Sequence, residues 1–350
     1  MVVSKSAKTK RLTKSKAFTL LKNAPLLELG QMADGLRRRL HKKNTVTFIV
    51  DRNINYTNIC INQCKFCAFY RTKNHSEGYL LRQDDIFRKI DETIKLGGTQ
   101  ILLQGGLHPD LTIEYFEDLF RSIKARFNIN LHAMSAPEIL FLAKQSGLST
   151  TATLARLKAA GLGSIPGAGA EILSDRIREV ISPRKIKTLE WLDLMEEAHR
   201  QGIRSTATMM FGSGEKMEDI VEHLDAIRRL QDKTGGFTAF IPWTFQPVNT
   251  KINVKPATGV EYLRVLAISR LYLDNISNVQ ASWVTQGIKM MEVSLRFGAN
   301  DMGSTMIEEN VVAAAGVHYR ASKEQLIRAA QNAGFNAAQR DTFYRILRRF

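Results

Sequence analysis

The sequence has 350 residues, of which 44% are hydrophobic, and it carries a formal net charge of +16 at pH 7. This length allows one large core or two ordinary ones, and the odd number of cysteines, three, argues against a disulfide framework and favours a reducing cytoplasm. No apolar run approaches the roughly 18 residues that a membrane span needs, so an integral membrane protein is not expected.

Basic residues are concentrated near the N-terminus. Residues 1–16 contain six lysines and arginines and no acidic residue, which predicts a basic disordered tail. Apolar residues then recur at helical spacing, so residues 17–44 are predicted to form an N-terminal helical extension. The positive charge is compatible with an anionic substrate or with loose contact to nucleic acid, but no aromatic residues are interleaved with the basic ones, so nucleic-acid binding is not favoured.

From residue 45 the chain alternates between strand and helix patterns. Eight short runs are typical of strands: "TVTFIVDRNINYT", "TQILLQGG", "NINLHAMS", "GLGSIPGAGA", "IRSTATMMF", "FTAFIPW", "NVQASW" and "ANDMG". Amphipathic helices such as "QDDIFRKIDETIKLG" separate them, and this alternation implies parallel strands with helical crossovers. We therefore expect an α/β fold in which residues 45–350 form a (β/α)8 TIM-type barrel with C-terminal helices; an open doubly wound sheet is the alternative.

The three cysteines, Cys60, Cys64 and Cys67, lie in one short segment, "NICINQCKFCAFYR", which leaves the first predicted strand. A structural zinc site usually has four ligands; here His108 or His132 would have to complete it, so a zinc-stabilised binding module stays open as one alternative. Thiolates also hold iron–sulfur clusters, and three of them leave one of four irons without a protein ligand. An open coordination position is typical of catalytic metal sites, so we expect a 4Fe-4S cluster that binds a small molecule.

The spacing C-x3-C-x2-C, with the aromatic Phe66 before the last cysteine, resembles the signature of the radical SAM superfamily. In that superfamily the open iron binds S-adenosylmethionine, and an electron from the cluster cleaves it to methionine and a 5′-deoxyadenosyl radical. The resemblance implies two cofactors, a 4Fe-4S cluster held by Cys60, Cys64 and Cys67 as metal ligands, and S-adenosylmethionine. An external one-electron donor such as flavodoxin or ferredoxin is expected with them.

Over residues 25–345 the sequence is similar to the dehypoxanthine futalosine cyclase family of the futalosine route to menaquinone. The similarity is carried by segments such as "GGTQILLQGGLHPDL", "FIPWTFQP" and "QASWVTQG". It implies a small-molecule substrate, dehypoxanthine futalosine, that is cyclised by hydrogen abstraction from its ribose and radical addition to its benzoate ring. Two sibling families remain as alternatives: aminofutalosine synthase and the tyrosine-using subunit of 7,8-didemethyl-8-hydroxy-5-deazariboflavin synthase. A radical SAM enzyme that modifies RNA, motivated by the charge of +16, is a third.

Residues that follow the second and fourth predicted strands are expected to hold S-adenosylmethionine. The predicted cofactor-binding residues are Phe66, Gln104, Gly105, Gly106, Glu171 and Arg178. The "LLQGG" run matches the superfamily position that contacts the methionyl amino group, Glu171 would accept hydrogen bonds from ribose hydroxyls, and Arg178 would meet a carboxylate. A helix-terminal acid and a surface arginine are the alternatives for these two. The Gly-rich run before Glu171 is not a dinucleotide fingerprint, because Pro166 stands where the third glycine is required.

Polar and aromatic residues at the carboxyl ends of the predicted strands are expected to bind the substrate, because parallel barrels build their chemistry at that face. They are Asn55, Tyr56, Trp243, Gln246, Ser282, Trp283, Gln286 and Asn300. Asp301 and Glu308, near the last strand, are predicted to be catalytic and to accept the proton lost when the aromatic ring is restored, with helix capping as the alternative. The run "MMFGSGEK" departs from the family pattern, since Ser213 stands where relatives usually have His, and no role is assigned to it.

Overall fold

The first helices pack on the outside of the barrel. In the computed structural model of the protein, residues 11–350 are described, and they begin with α1 (Lys14–Asn23) and α2 (Leu26–Leu40). Both helices contact α10 (Gly259–Tyr272), and α1 also contacts α9 (Met217–Thr234). Their apolar residues at helical spacing, including Leu21 and Leu29, are buried in these contacts and join the main core.

The predicted N-terminal tail is shorter than expected. Its residues 1–10 lie outside the described residues. Arg11 forms ion pairs with Asp232 and Asp274 at 2.8 and 2.6 Å, and the Thr13 side chain caps α1 by accepting a backbone N–H. Residues 11–16 are therefore part of the fold, and the helical extension begins at Lys14 rather than after residue 16.

The barrel begins with one strand that is shared by two sheets. β1 (Thr45–Ile49) and β2 (Asp51–Asn55) are separated by Val50 alone. β2 opens a six-stranded sheet in which all pairs are parallel and follow chain order. The other strands of this sheet are β3 (Gln100–Gln104), β4 (Asn130–Ala133), β5 (Ser164–Ile165), β6 (Arg204–Phe211) and β7 (Phe237–Thr244).

Isolated bridges close this sheet into a barrel. Phe240 of β7 bridges in parallel to Val279, and Gln280 bridges to Asp301 of β8 (Asp301–Ser304). β8 then pairs in parallel with β1, which completes the ring. Residues 279–280 take the seventh of eight strand positions, so the predicted α/β barrel is confirmed. The strand predicted from "NVQASW" is reduced to these bridges because a helical turn begins at Trp283.

Helices cover the outside of the sheet, as the alternation predicts. They are α3 (Gln83–Lys95), α4 (Ile113–Arg126), α5 (Ala136–Gln145), α6 (Thr150–Ala160), α7 (Asp175–Ile181), α8 (Thr188–Arg200), α9, α10, α11 (Trp283–Gln286), α12 (Ile288–Ser294), α13 (Val311–Ala314) and α14 (Lys323–Asn332). In α3, for example, Ile86 and Ile90 are fully buried while Asp84 and Asp85 lie in the first turn, where acids complement the helix dipole. No helix among residues 11–350 is long and apolar enough to cross a membrane.

The C-terminal end of the chain differs from the prediction of C-terminal helices. One helix, α14, is present, but the residues after it form an antiparallel hairpin of β9 (Asn336–Arg340) and β10 (Ile346–Arg349). β9 pairs in parallel with β1, from Thr45↔Asn336 to Phe48↔Gln339. The segment "NAAQR" has no alternating apolar pattern, and its partner strand lies at the other end of the chain, so tertiary contacts alone select the strand.

Candidate active site

The barrel encloses a cavity of ≈ 420 Å³ that is lined both by the cysteine segment and by the C-terminal hairpin. Its wall follows the alternation of β-strands: Ile49, Asp51, Asn53 and Asn55 of the first strand line it, and the residues between them do not. β3 contributes every second residue in the same way. Polar side chains therefore occur at several heights of the wall, which suits a ligand that carries many hydroxyl groups.

Most of the predicted site residues line this cavity. They are Asn55, Cys60, Cys64, Phe66, Cys67, Gln104, Gly105, Gly106, Glu171, Trp243, Ser282 and Trp283. The remaining predicted residues do not line it. They are Tyr56, Arg178, Gln246, Gln286, Asn300, Asp301 and Glu308.

The loop that carries the cysteines is fixed by its own backbone. The Cys60 N–H donates to the Arg71 carbonyl at 3.0 Å, and the Arg71 N–H donates to the Asn58 carbonyl at 2.8 Å. The Arg71 guanidinium reaches across the loop and donates to the carbonyls of Ala68 and Tyr70 at 3.0 and 2.9 Å. These contacts set the positions of the three thiols.

The three thiols have different surroundings. Cys64 is buried, while Cys60 and Cys67 are partly exposed. Burial raises the pKa of the Cys64 thiol to about 12, and the nearby Lys185 ammonium opposes this rise. Within residues 11–350, no group of three His, Cys, Asp or Glu side chains converges on a single point that could hold one metal ion. Thiolates that bind different irons of one cluster need not converge on a single point.

β3 ends in glycines because the cysteine loop passes directly beside it. A Cβ on Gly106 would lie 2.2 Å from the Ile59 carbonyl oxygen, and one on Gly105 would lie 2.6 Å from the Tyr56 ring. The Tyr56 hydroxyl donates to Glu138 Oε1 at 2.7 Å, and the same oxygen accepts the Gly105 N–H at 3.1 Å. Tyr56 thus supports the glycine turn from behind the cavity wall, away from the substrate position predicted for it.

Glu171 lines the cavity, and one of its two carboxylate oxygens accepts no hydrogen bond in the described part of the chain. Its backbone is left-handed, with φ of 39°, which is uncommon for a residue other than glycine. Oε1 accepts a hydrogen bond from Lys185 Nζ at 2.6 Å. Oε2 is buried without a hydrogen-bond partner in the described part of the chain, and Arg178 Nη1 lies 3.6 Å away. A buried carboxylate oxygen that accepts no hydrogen bond is unusual, and the role predicted for Glu171 as an acceptor for ribose hydroxyls stays a prediction.

Arg178 shapes the loop that carries Glu171. Its side chain is 1% exposed and donates to the carbonyls of Gly169, Ala170 and Ile186 at 3.1, 2.6 and 2.6 Å. Because these carbonyls occupy its donors and it does not line the cavity, the geometry does not favour the predicted contact with a ligand carboxylate.

Lys185 is a cavity residue that the sequence analysis missed. Its Nζ lies 5.2 Å from the centroid of the Phe66 ring, next to the cysteine loop. Burial is the largest single influence on Lys185 and lowers its pKa, but the carboxylate of Glu171 and the nearby Cys64 together raise the pKa above its ordinary value. The surrounding sequence, "ISPRKIK", contains no motif that would have singled it out.

Asn300 and Asp301 lie in the barrel wall where the ring closes. Asp301 is 0% exposed, and its two oxygens accept from Arg340 Nε and Nη2 at 2.6 and 2.9 Å. Asn300 Oδ1 accepts from Arg270 Nη2 at 2.5 Å and from the Val279 N–H at 2.9 Å. Both side chains hold the last strands together, which differs from the catalytic and substrate-binding roles predicted from the sequence.

Glu308 and its neighbour Glu309 differ in whether they line the cavity. Glu308 forms an ion pair with Lys89 at 2.5 Å and does not line the cavity. Glu309 does line it, and its oxygens accept from the Asn53 side chain at 2.9 Å and from the Val311 N–H at 2.7 Å. Burial raises the pKa of Glu309, as expected for an acid that can take up a proton. The residue predicted from the sequence as catalytic is the adjacent acid, Glu308.

Two tryptophans that line the cavity have different exposure. Trp243 is partly exposed to the cavity, whereas Trp283 is 2% exposed and donates its ring N–H to a backbone carbonyl at 3.0 Å. Gln246 and Gln286 both donate to the Thr244 hydroxyl, at 2.9 and 2.6 Å. The two glutamines therefore support the loop around β7 rather than reach a ligand.

Two further ionisable residues of the cavity are deeply buried: Asp51, which is not singled out from the sequence, and His132, which is predicted only as a possible zinc ligand. Burial raises the pKa of Asp51 to about 6 and lowers that of His132 to about 3, so the imidazole is neutral at physiological pH. Asp51, Asn53 and Asn55 alternate along "VDRNIN", and polar residues at every second position of a barrel strand were a signal that could have revealed them.

The loop that departs from the family pattern lies outside the cavity. The Ser213 hydroxyl donates to Glu215 Oε2 at 3.1 Å, and Glu215 Oε1 accepts the Gly212 N–H. Ser213 is buried in this local turn and has no contact with the cavity wall.

Comparison with known proteins covers nearly the whole chain. The sequence profile of the radical SAM superfamily matches residues 54–227, and that of the CofH/MqnC C-terminal region matches residues 234–349. The cyclic dehypoxanthine futalosine synthase of Streptomyces coelicolor is 45% identical over 98% of this chain and 87% of its own length. The chain belongs to the radical SAM superfamily.

Further relatives of this radical SAM enzyme fall into two groups. A cyclic dehypoxanthine futalosine synthase of Halalkalibacterium halodurans is 44% identical over 100% of this chain and 95% of its own. A "5-amino-6-(D-ribitylamino)uracil--L-tyrosine 4-hydroxyphenyl transferase" of Methanococcoides burtonii is 42% identical over 96% of each chain. Among solved structures, methylornithine synthase superposes with a TM-score of 0.70 at 19% identity, covering 93% of this chain and 94% of its own, which supports the fold alone.

The residues around the cavity fit both cofactors of the radical SAM superfamily. Three thiolates are the donor set of a 4Fe-4S cluster with one open iron. Because β3 ends in glycines, no side chain covers its backbone beside the cysteine loop. Oε2 of Glu171, which accepts no hydrogen bond, would be an acceptor for a nucleoside hydroxyl. Cys60, Cys64 and Cys67 would hold the cluster, and Glu171 would hold S-adenosylmethionine.

Proposed function

We propose that this radical SAM enzyme converts dehypoxanthine futalosine to cyclic dehypoxanthine futalosine in menaquinone biosynthesis. The observation that supports this most strongly is the identity of 45% and 44%, over nearly the whole chain, with two enzymes named cyclic dehypoxanthine futalosine synthase. Six relatives named as hydroxyphenyl transferases are 38–43% identical. The C-terminal third, residues 234–349, contains the last strands of the barrel and matches the profile of the CofH/MqnC C-terminal region.

When bound and reduced, the cluster and S-adenosylmethionine supply a 5′-deoxyadenosyl radical. In the proposed reaction one hydrogen atom passes from the ribose of the substrate to this radical, which becomes 5′-deoxyadenosine. The ribose carbon radical that remains forms a bond to the benzoate ring. Loss of one electron to an oxidised one-electron carrier and of one proton to a base restores the aromatic ring. The product therefore has two hydrogens fewer than the substrate.

The polar wall of the cavity is suited to hold the substrate for this reaction. Asn53 and Asn55 carry amide groups that can bind ribose hydroxyls, and neutral His132 can donate or accept a hydrogen bond beside them. Trp243 presents a partly exposed ring against which the benzoate can stack. A substrate held at both ends keeps its two reacting carbons close, which lowers the entropic part of the barrier.

Glu309 is the best placed acceptor for the proton lost on rearomatisation. It lines the cavity, whereas Asp301 is bound to Arg340 and Glu308 to Lys89. Burial already raises the pKa of Glu309, so protonation of this carboxylate costs less than it would in water. The roles predicted for Asp301 and Glu308 from the sequence remain predictions, and they compete with this assignment.

Anaerobic turnover tests the proposal. The enzyme with reconstituted cluster is incubated with S-adenosylmethionine, a reductant and either dehypoxanthine futalosine or L-tyrosine with 5-amino-6-(D-ribitylamino)uracil. Mass spectrometry is expected to find a product two hydrogens lighter than dehypoxanthine futalosine in the first mixture only. A joined product in the second mixture would show that the second candidate, the hydroxyphenyl transferase activity suggested by the archaeal relatives, is correct instead.

A further inference from the structure

Three exposed basic side chains surround the outer face of the cysteine loop. Lys65 belongs to the loop itself, Arg184 Nη1 lies 3.5 Å from the carbonyl oxygen of Ile61, and the Lys251 N–H donates to the Lys65 carbonyl at 2.8 Å. Backbone contacts therefore place all three residues on the same small area. We call Lys65, Arg184 and Lys251 the basic patch.

The basic patch differs from other basic residues near the loop because its charges are not neutralised. Arg71 pairs with Glu77 at 2.7 Å, and Lys73 pairs with Asp110 at 2.6 Å. Within residues 11–350 no carboxylate lies within ion-pair distance of the basic patch, and residues 1–10 contain no acidic residue that could supply one. The patch is thus a concentrated positive surface.

Exposed apolar side chains adjoin this positive surface. Ile61, on the cysteine loop, is 41% exposed, and Val180, at the end of α7, is 58% exposed. The Lys65 N–H donates to the Ile181 carbonyl at 2.8 Å, which holds the end of α7 beside the loop. Apolar residues next to unpaired charges are typical of surfaces that bind another protein.

Only a thin wall separates the basic patch from the cluster ligands. Lys251 Nζ lies 2.7 Å from the Tyr70 hydroxyl, and Tyr70 stands three residues after Cys67 in the same loop. Lys65 stands one residue after Cys64. Because electron transfer slows steeply with distance, a protein that delivers an electron to the cluster has to dock close to this wall.

We propose that the basic patch is the docking surface for an acidic one-electron carrier protein that reduces the cluster. In this step the carrier loses one electron and the oxidised cluster gains it. Opposite charges steer such partners together and raise association rates by about 10- to 1,000-fold, and redox encounters need only small interfaces. The proposal rests on the cluster and not on the identity of the organic substrate, so it applies to both candidate functions.

A charge-reversal variant tests the docking surface. Arg184→Glu/Lys251→Glu leaves every cysteine in place, and the holoenzyme variant is mixed anaerobically with an acidic flavodoxin in its hydroquinone form. We expect the rate of cluster reduction, followed by the cluster absorbance, to fall at least tenfold at low ionic strength. Because salt screens the charges, we expect the difference to shrink as salt is added. Binding of oxidised flavodoxin, measured by calorimetry without turnover, is expected to weaken in parallel.

Two controls separate docking from damage to the site. The small reductant dithionite needs no docking surface, so it is expected to reduce the variant and wild-type clusters at rates within twofold of each other. The matched variant Lys42→Glu/Lys43→Glu makes the same charge change just before β1, and its reduction by flavodoxin is expected to stay near wild type. The strand over residues 45–55 places that site roughly 35 Å along the barrel from the loop.

Three results would overturn the proposal. The first is a wild-type rate with flavodoxin in the patch variant at low salt. The second is an equal loss in the Lys42/Lys43 control, which would mean that net charge and not the patch matters. The third is an equal loss with dithionite, which would place the defect in the cluster itself. Lys251→Gln, which can keep the contact with the Tyr70 hydroxyl, is expected to show an intermediate loss if charge is the cause.

Discussion

Replacing Asp301 with asparagine distinguishes a structural role for this residue from a catalytic one. The carboxylate is 0% exposed and accepts four hydrogen bonds, two from Arg340 at 2.6 and 2.9 Å, one from Thr47 Oγ1 at 2.5 Å and one from the Gly303 N–H at 2.9 Å. The asparagine side chain would keep the shape but turn an NH2 group towards these donors and leave the Arg340 charge without its partner. We expect Asp301→Asn to destabilise the fold strongly, although Asp301 itself does not line the cavity.

The size of this effect follows from the burial of the pair. Removing one partner of a buried ion pair costs about 3–5 kcal/mol, because the remaining charge stays buried and uncompensated. With an unfolding entropy of about 2.1 cal/mol/K per residue, the Tm of a chain of this length should fall by about 4–7 °C. The Glu308 pair with Lys89 is a suitable control, since both side chains are partly exposed; for Glu308→Gln we expect a cost of about 1 kcal/mol or less.

The assay combines stability with turnover. Thermal unfolding of the holoenzyme, followed anaerobically by circular dichroism, gives the Tm of each variant, and product formation is measured well below both transitions. If Asp301 is structural, Asp301→Asn should unfold at lower temperature and still form product at a rate within about threefold of wild type. A Tm within about 1 °C of wild type, together with loss of product but normal cleavage of S-adenosylmethionine, would refute this reasoning and establish Asp301 as the proton acceptor.

Other predictions follow from single contacts. Cys64→Ala should abolish both the cluster and the formation of 5′-deoxyadenosine, measured as iron content and by chromatography, and deoxyadenosine from this variant would contradict the cluster assignment. Gly106→Ala should displace the Ile59 carbonyl, which a Cβ would approach to 2.2 Å, and lower iron incorporation, whereas Gly35→Ala, with nothing within 4 Å, should not. Burial raises the pKa of Asp51 to about 6 in the folded state, so the folded protein loses stability as this carboxyl ionises. Between about pH 4 and pH 7 the free energy of unfolding of the wild type, measured by urea titration, should fall relative to that of Asp51→Asn by on the order of 3 kcal/mol. A difference between the two proteins that does not change with pH would be inconsistent with this shift.

The cluster side of the site could be predicted because its chemistry is encoded by neighbouring residues. Cys60, Cys64 and Cys67 stand in one loop, and the glycines at the end of β3 mark the close approach of backbone to that loop. The strand order could be predicted for a similar reason, since alternating strands and helices of ordinary length leave few ways to connect a parallel sheet. The cysteine motif and the strand order can both be predicted from residues that are close in the sequence, without knowledge of distant contacts.

The remaining cavity residues could not be predicted, because long-range contacts place them. Lys185 reaches Glu171 only after α7 has folded back towards the cysteine loop, and Glu138 meets Tyr56 across two strands. Asp301 looked available at the end of a strand, but its partner Arg340 comes from a hairpin that the sequence pattern does not mark as strand. A residue type at a strand end predicts proximity to the site, while its hydrogen-bond partners decide whether it is free to act.

The cysteine loop has two faces, and this explains how electron delivery and radical chemistry can be kept apart. Its inner face carries Cys64 and Phe66 on the wall of the cavity, and its outer face carries the exposed Lys65. A carrier protein docked at the basic patch can therefore pass an electron through one layer of residues without any opening of the cavity. Exclusion of water and oxygen protects a carbon radical until it has reacted. The two faces of one short loop thus separate the proposed site of electron entry from the substrate cavity.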